Sequence, residues 1–545
     1  MLPVSHGVQS RHGAGTGTAL SPQLAASLSE QQQRQYALVQ ALQDPACYAH
    51  PTRDISVIET HISIVVLTGA FAYKIKKPLN LGFLDFSTPQ RRKYFCEEEV
   101  RLNSRYASDI YLGVVTFSGS PGTPYIRDKG EGFEYAVRMM QFDQGDLLSA
   151  MLERGRLDIA HIRRVASKVA EFHIHGAARC DATAPYGSQA RVLSPMLENF
   201  RQIRENLPDQ ETARKLADLE HWTRRNGIDK AEHIEQRRND GFVRECHGDL
   251  HLDNIAWIGG HPVLFDGIEF NPYLRFIDTM SEIAFPVMDL QRHGAPSYAR
   301  VLLNDYLETT GDYDGLGLFK LYSVYRALVR AKIIAIRSRQ LAEETTPSAE
   351  FRACVRLAEK HTENIAPALF ITHGLSGSGK SYVADKLVRD HGFLRLRSDH
   401  TRKRLHGLTA TASTGSALDE GIYSPQATEA TYSRLAEDAQ TCLLAGFSVV
   451  VDAAFLHLEQ RAVFGRLASR VGVDFTILDV HAPDGDIQAR LESRRRDSGV
   501  VSEADHEVVS AQRRRQDVLT SDELQFTRRV QNVQGEEPTL EAVFG

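Results

Sequence analysis

Between residues 62 and 142 the apolar positions recur with the two-residue period of strands, in ISIVVL, AFAYKIK, YLGVVTF and FEYAVRMMQF, and one helical stretch interrupts them at about 89–105. The pattern predicts a sheet carrying one helix. Upstream, Ser29 followed by Gln32 reads as a capping box that opens a helix through QRQYALVQALQ, where Tyr36, Val39 and Leu42 recur at helical spacing. The residues before it are rich in Gly, Thr, Ser and His without hydrophobic periodicity. Nothing there offsets the entropy of ordering, so 1–28 reads as a loose tail. From about 158 to 235 the apolar spacing turns helical, two short strands flank HGDLHLDN at 247–254, and helices return through about 360. A polar run ending in Pro367 then leads into ALFITHGLSGSGKS, a buried-type strand with a Gly-rich turn and a helix after it. This places a domain boundary there, giving domains 29–362 and 363–545. Beyond it GFLRLRSD, a helix near 425–445, FSVVVDAAF, a helix near 457–471 and VDFTILDVHAP alternate, which predicts a parallel sheet covered by helices.

A chain of 545 residues exceeds what one core usually supports, and its 42% hydrophobic and 25% charged residues are those of an ordinary globular protein. The formal charge of −6 is mild and gives no support for a dedicated nucleic-acid binder. Six cysteines without a CxxC pair suggest neither a zinc site nor a disulfide framework, so a reducing, cytoplasmic compartment is expected. The N-terminus does not read as a secretory signal, and no segment has the roughly 18 apolar residues of a membrane helix.

Gly374, Gly379, Lys380 and Ser381 satisfy GxxxxGK[ST], with the strand before and the helix after that the motif requires. Such a loop, here Gly374, Leu375, Ser376, Gly377, Ser378 and Gly379, curls so that backbone N–H groups point at phosphate oxygens. Lys380 then contacts the outer phosphates and the Ser381 hydroxyl holds magnesium. Asp399, at the end of the next strand, should emerge at the same sheet edge and can accept a proton from an acceptor hydroxyl. Asp452 ends VVVD in the same manner and can orient magnesium through water. A surface turn or a strand-end cap explains these two acids about as well. Arg490 and Arg494, four apart on one helix face, are candidates for the positive charge that a transferring phosphoryl group needs; a solvated helix face is the alternative. RSDHTRKRL (397–405), VVVDAAF (449–455) and RLESRRRDSGVVSEAD (490–505) resemble small P-loop kinases of the AAA family ATPase group, relatives of polynucleotide, gluconate and chloramphenicol kinases and of zeta toxins. The resemblance covers about 366–545 and implies that Asp399 positions or deprotonates the acceptor hydroxyl.

HGDLHLDN sets Asp249 two residues after His247 and Asn254 five further on, the spacing of a kinase catalytic loop, and Asp266 follows twelve residues later at the end of PVLFD. Asp249 suits the base near the acceptor, and Asn254 with Asp266 suits the oxygen ligands of magnesium. In AFAYKIKK, alternation puts Lys74 and Lys76 on one strand face. Lys74 is the first choice for the cation on the phosphates and Lys76 the reserve, with Glu99 of CEEEVRLN as carboxylate partner.

AYKIKKP (72–78), EFHIHGAA (171–178), HGDLHLDNI (247–255) and LFDGIEFN (264–271) resemble the aminoglycoside phosphotransferase-like family over about 55–340. LDFST (84–88), CEEEVRLN and IEFNPYLRFID (268–278) are similar to the subgroup fused to an AAA-type P-loop domain. The resemblance implies a protein-kinase-like α+β fold, a small sheet lobe plus a helical lobe, followed by an α/β P-loop kinase domain with a parallel sheet. It departs in the nucleotide-covering loop, where only Gly69 represents the Gly-rich signature. The expected activity is an ATP- and Mg2+-dependent kinase with two nucleotide sites and hydroxyl-bearing acceptors, with GTP, the acceptors' identity and the oligomeric state left open. Two rival readings make one half a nucleotide-binding regulator of the other, or the C-terminal half a nucleic-acid end kinase. The arginine clusters favour the last, and the acidic net charge weighs against it.

Overall fold

The computed structural model describes residues 29–533 except 83, 182, 208–209, 341–346, 410–420 and 497–505. The chain divides into two compact units. One runs to Arg292 and takes up Leu321–Glu359; the other combines His293–Lys320 with the residues from Lys360 onward. The tail expected at 1–28 lies outside the described residues.

In the first unit the strands β1 (Ser56–Glu59), β2 (Ser63–Leu67), β3 (Phe71–Lys76), β4 (Tyr111–Ser120), β5 (Thr123–Arg127) and β6 (Glu134–Met140) form one sheet in the order β1-β2-β3-β6-β4-β5. Every pairing is antiparallel. The Ser29–Gln32 capping box is present and opens the helix Glu30–Ala41, whose Leu38 and Val39 pack with Val66, Ile75 and Phe117 of the sheet. The helix Pro89–Ala107 begins at a Thr88 cap with Pro89 in its first turn, a position where proline costs no hydrogen bond. Its buried residues Cys96, Glu99, Asn103 and Tyr106 recur at three- and four-residue steps, so Glu99 shares the inward face.

The helical part of this unit packs Phe200, Ile203, Leu216, Leu219, Phe285 and Val324 into one core. It also holds two antiparallel pairs, β7 (Val243–Glu245) with β10 (Phe276–Asp278) and β8 (Ile255–Ile258) with β9 (His261–Leu264). HGDLHLDN spans the gap between β7 and β8.

The second unit is built on a parallel sheet of β11 (Ala368–His373), β12 (Leu394–Arg397), β13 (Val449–Asp452), β14 (Asp474–His481) and β15 (Thr527–Gln531), in the order β12-β13-β11-β14-β15. Leu369, Ile371 and Val449 to Val451 are buried, and the strands read as continuous apolar runs because helices cover both faces of a parallel sheet. Among the described residues no helix is long and apolar enough to cross a membrane.

The kinase-like segment expected over 29–362 is interrupted. The helix Pro296–Thr310 belongs to the P-loop unit, because its buried polar side chains are partners of β12. Arg395 donates to Glu308 from Nε at 2.7 Å and Nη2 at 3.3 Å, and the Arg395 N–H donates to Asn304 Oδ1 at 2.8 Å. Burial pushes the Glu308 carboxyl up, but Arg395, Arg397 and His400 overcome it and hold it at about 2. Periodicity could not reveal this, since the helix is amphipathic in the ordinary way whichever unit it covers.

Glu308→Ala should therefore lower the unfolding transition of the P-loop unit by about 3 kcal/mol, the usual cost of stranding one buried partner. Asp385, 3.2 Å from Arg395, keeps the loss at the low end. Calorimetry of the full chain, with Glu308→Gln as the isosteric control, checks this; an unmoved transition would refute it.

Candidate active sites

In the first unit the sheet and the helical part meet at a chain of buried ion pairs. Alternation along β3 aims Lys74 and Lys76 at the inward face of the helix Pro89–Ala107, where Glu99 receives both, Lys74 at 2.8 Å and Lys76 at 2.6 Å. Lys74 also pairs with Asp266, and Lys76 with Glu269. Burial opposes the charge on Lys74, but Asp266 and Glu99 hold its ammonium protonated well above the ordinary range. Three carboxylates thus face two lysines, with burial pushing the Glu269 carboxyl up against the pull of Lys76. Asp266 has a left-handed backbone (φ 62°), fixed by its N–H donating to Tyr111 Oη at 3.0 Å. Gly267 follows because a Cβ there would lie 2.2 Å from Tyr106 Oη.

The HGDLHLDN loop is held by backbone bonds to two helices. Glu282 of the helix Thr279–Arg292 accepts the N–H groups of His247 at 2.6 Å and Gly248 at 2.8 Å, and Asp289 accepts that of Leu252 at 3.0 Å. Arg326 donates to the Gly248 carbonyl at 3.1 Å. Asn254 Nδ2 donates to the Asp249 carbonyl at 2.9 Å, which leaves Asn254 Oδ1 buried with no hydrogen-bond partner. Lys74, Asp249, Asp266 and Glu269 share the wall of one small cavity. An adjoining cleft is lined by Val65, Ala72, Met139, Phe142 and Phe265 as well as Lys74 and Asp266. Mostly apolar walls with a few polar groups suit a nucleotide base. The structure thus brings Lys74, Lys76, Glu99, Asp249, Asn254 and Asp266 together.

Gly69 occupies a different place from the expected one. It lies in the β2–β3 turn, where its N–H donates to Gln141 Oε1 at 2.8 Å. The β1–β2 turn, which precedes the lysine-bearing strand as a kinase glycine loop does, reads Thr60-His61-Ile62, and Thr60 and Ser63 line the cleft.

In the second unit β11 runs into the P-loop and the helix Lys380–Lys386. Gly379 has φ 95° and a Cβ there would lie 1.7 Å from Asn532 Nδ2, so the GxxxxGK glycine is required twice over. Lys380 Nζ donates to the Leu375 carbonyl at 2.8 Å, and Ser378 Oγ is buried without a partner. Asp399 stands in the first turn of the helix Ser398–Leu405, just past the end of β12, and accepts from Arg402 at 3.4 Å. Burial pushes its carboxyl up, with Arg402 and Arg397 pulling the other way. Asp452 ends β13 beside Arg397 Nε at 3.9 Å. Arg490 holds the loop from outside, donating to the Gly377 and Ser378 carbonyls at 3.2 Å and to the Asn532 carbonyl at 3.0 Å. Arg494 lies in the same helix, Asp484–Arg496, with its side chain outside the described residues.

Sequence reasoning missed several residues. Glu269 sits three residues after Asp266, inside a quoted motif, and was accessible. Glu282 is remote from its loop in sequence. Gln512, in the helix His506–Arg515, accepts the Ser376 N–H at 2.9 Å and donates to Ser376 Oγ at 3.1 Å, a contact no local pattern signals.

Residues 369–519 match a family model described as an AAA domain. The uncharacterized proteins Rv2004c of Mycobacterium tuberculosis and Mb2027c of Mycobacterium bovis are each 30% identical over 429 residues, 78% of this chain and 84% of theirs. Solved structures with lower similarity include choline kinase from Cryptosporidium parvum, 13% identical, covering 56% of this chain and 89% of that one at a TM-score of 0.37. Another is the Mycobacterium tuberculosis APS kinase in complex with AMPPNP and APS, 23% identical, covering 32% and 91% at a TM-score of 0.23.

The Glu282 geometry makes a direct prediction. Burial pushes the Glu282 carboxyl up, yet His173 and His247 hold it down at about 2, below its ordinary 4.5. A depressed carboxylate stabilises the fold above its ordinary range, and that stability is lost as pH falls through 4.5 toward about 2. Glu282→Gln should cost about 3 kcal/mol at pH 7, and the gap to the unaltered protein should close as pH drops below about 4. Denaturant titrations at several pH values check it; a gap independent of pH would exclude the ionised brace. By these relatives the chain belongs to the family of the two uncharacterized mycobacterial proteins, with an AAA domain over residues 369–519.

Proposed function

We propose that both units are phosphotransferases, each moving the γ-phosphoryl group of ATP to a hydroxyl-bearing acceptor with Mg2+. The observation that carries this is the placement of Lys74, paired to Glu99 and Asp266, in one cavity wall with Asp249. Asp249 accepts the acceptor's hydroxyl proton as that oxygen bonds to the γ-phosphorus. The bond to the β–γ bridging oxygen breaks, and ADP leaves with the electron pair. Lys74 neutralises phosphate charge. Mg2+ fits the first site, because carboxylates outnumber lysines in the cluster and Asn254 Oδ1 is a buried acceptor without a donor. Asn254 and Asp266 would hold the ion, which supplies charge neutralisation at the phosphates.

In the second unit the roles fall to Asp399 as base, to Lys380 and the loop N–H groups on the phosphates, and to Ser381 and Asp452 at the metal. A base with a raised pKa is better matched to accepting a proton near neutrality. Arg490 acts on the nucleotide side by fixing the loop's outer carbonyls.

The full chain should bind two equivalents of Mg-ATP and Lys380→Ala one, by equilibrium dialysis. Two equivalents in the variant would remove the P-loop assignment.

In a Lys380→Ala background, Asp249→Asn should keep Mg-ATP affinity while transfer falls by about 10²–10⁴-fold. Asp266→Asn should lose Mg-dependent affinity itself. If Asp249→Asn matches the unaltered protein in turnover, the first unit is not an enzyme of this kind.

A further inference from the structure

The turn between β1 and β2 stands where a kinase glycine loop would, yet Thr60-His61-Ile62-Ser63 contains no glycine. Its backbone is bonded on itself and to the end of β3. The Thr60 N–H donates to the Ser63 carbonyl at 2.9 Å, the Ser63 N–H to Thr60 Oγ1 at 3.0 Å, and the Lys77 N–H to the Ile62 carbonyl at 2.8 Å. The Thr60 and Ser63 hydroxyls are engaged with each other, 2.9 Å apart. Ile62 is 4% exposed and packs with Leu84, Phe86 and Phe270. Phe270 comes from the segment after β9, so this apolar contact joins the turn to the helical part of the unit.

The turn borders two spaces. Thr60 and Ser63 line the cleft that suits a nucleotide base, whereas Ile62 and Phe270 line the small cavity that contains Asp249. Lys74 and Asp266 belong to both walls. A γ-phosphoryl group reaching from Lys74 toward an acceptor at Asp249 therefore enters the space that Ile62 and Phe270 close. Two apolar side chains offer its oxygens no donor, and charge taken out of water without one is costly.

We propose that Ile62 is a latch: in the resting first unit its side chain shuts the catalytic cavity, and the phosphates of an arriving nucleotide withdraw the turn. This rests on the phosphotransferase reading of that unit and adds a regulation to it. Lys74, Glu99 and Asp249 keep their places and only the turn moves. The Thr60 and Ser63 hydroxyls, released from each other, then donate to the phosphates in place of the backbone donors of a glycine loop. Re-exposing a buried isoleucine favours the closed form by roughly ten- to hundred-fold, a bias that a few charge-assisted bonds to phosphate can reverse.

The test uses the full chain carrying Lys380→Ala, so that nucleotide binds at the first site only. A thiol introduced by Ile62→Cys is followed by iodoacetamide labelling and peptide mass spectrometry. It should label slowly in the free protein and with adenosine, and faster by roughly ten-fold or more with Mg-AMPPNP. Separately, Ile62→Ala should tighten Mg-ATP by about ten-fold and leave adenosine unchanged, because the open form becomes the common one. Val66→Ala, which truncates a buried side chain of β2 packed instead with Leu38 and Phe117, should tighten neither ligand. Labelling that Mg-AMPPNP leaves unchanged or slows, or an Mg-ATP affinity that Ile62→Ala leaves unchanged or weakens, would overturn the inference. Exposure of the thiol by Mg-AMPPNP without transfer to any cellular extract would uphold the latch and defeat the phosphotransferase reading. Transfer with an unmoved thiol would do the reverse.

Discussion

A charge withdrawn from water has to meet its opposite, and in the first unit that requirement joins elements far apart in sequence. Lys74 and Lys76 come from β3, Glu99 from the helix beside the sheet, and Asp266 and Glu269 from the segment after β9. The lysines are buried only because the carboxylates receive them, and the carboxylates tolerate burial only because of the lysines. Breaking one pair strands the others, so the network fixes the distance between sheet and helical part more sharply than apolar packing would. Its imbalance also has a chemical consequence. Three carboxylates stand against two ammonium groups, an imbalance that the proposed divalent cation would offset.

The same logic operates on the backbone of the HGDLHLDN loop. A loop beside a cleft cannot satisfy its N–H groups with regular structure, and each one buried without a partner would cost free energy. Glu282 and Asp289 take three of them, and Arg326 takes a carbonyl. Asp249 is thereby held in the cavity wall, while Asn254 spends its Nδ2 on the Asp249 carbonyl and keeps Oδ1 without a partner. The P-loop achieves a comparable result with glycines, whose missing side chains let Asn532 and Arg490 approach the loop's outer face.

What could be read from the sequence follows from how local the physics is. Four strands of each sheet (β2, β3, β4 and β6; β11 to β14), the Ser29 capping box and the P-loop depend on neighbours within a few residues, and their patterns are visible along the chain. Lys74 with Glu99 was legible because strand alternation and helix spacing each fix a direction. The β1, β5 and β15 edge strands were not, because SVIE, TPYIR and TRRVQ are short and mostly exposed. Glu282, Glu308 and Gln512 act on residues between 34 and 136 positions away, where periodicity has nothing to say. The transfer of Pro296–Thr310 to the P-loop unit was hidden for the same reason: an amphipathic helix shows that it will be covered but not by what.

The two candidate nucleotide sites hold the lysines proposed to bind phosphate in different starting states. Lys74 is clamped by two carboxylates, so a nucleotide arriving there meets a cation already oriented, and one of its bonds, to Asp266, is available for exchange when a metal takes that carboxylate. Lys380 instead rests on a carbonyl of its own loop, while Gln512 uses the Ser376 N–H that a phosphate oxygen would otherwise accept from. Neutral hydrogen bonds of this kind are worth about 1 kcal/mol each and are readily replaced by charge-assisted ones to phosphate. The first site is therefore organised before its ligand arrives. On the proposed function, the second would reach its working geometry by trading internal bonds for bonds to the nucleotide.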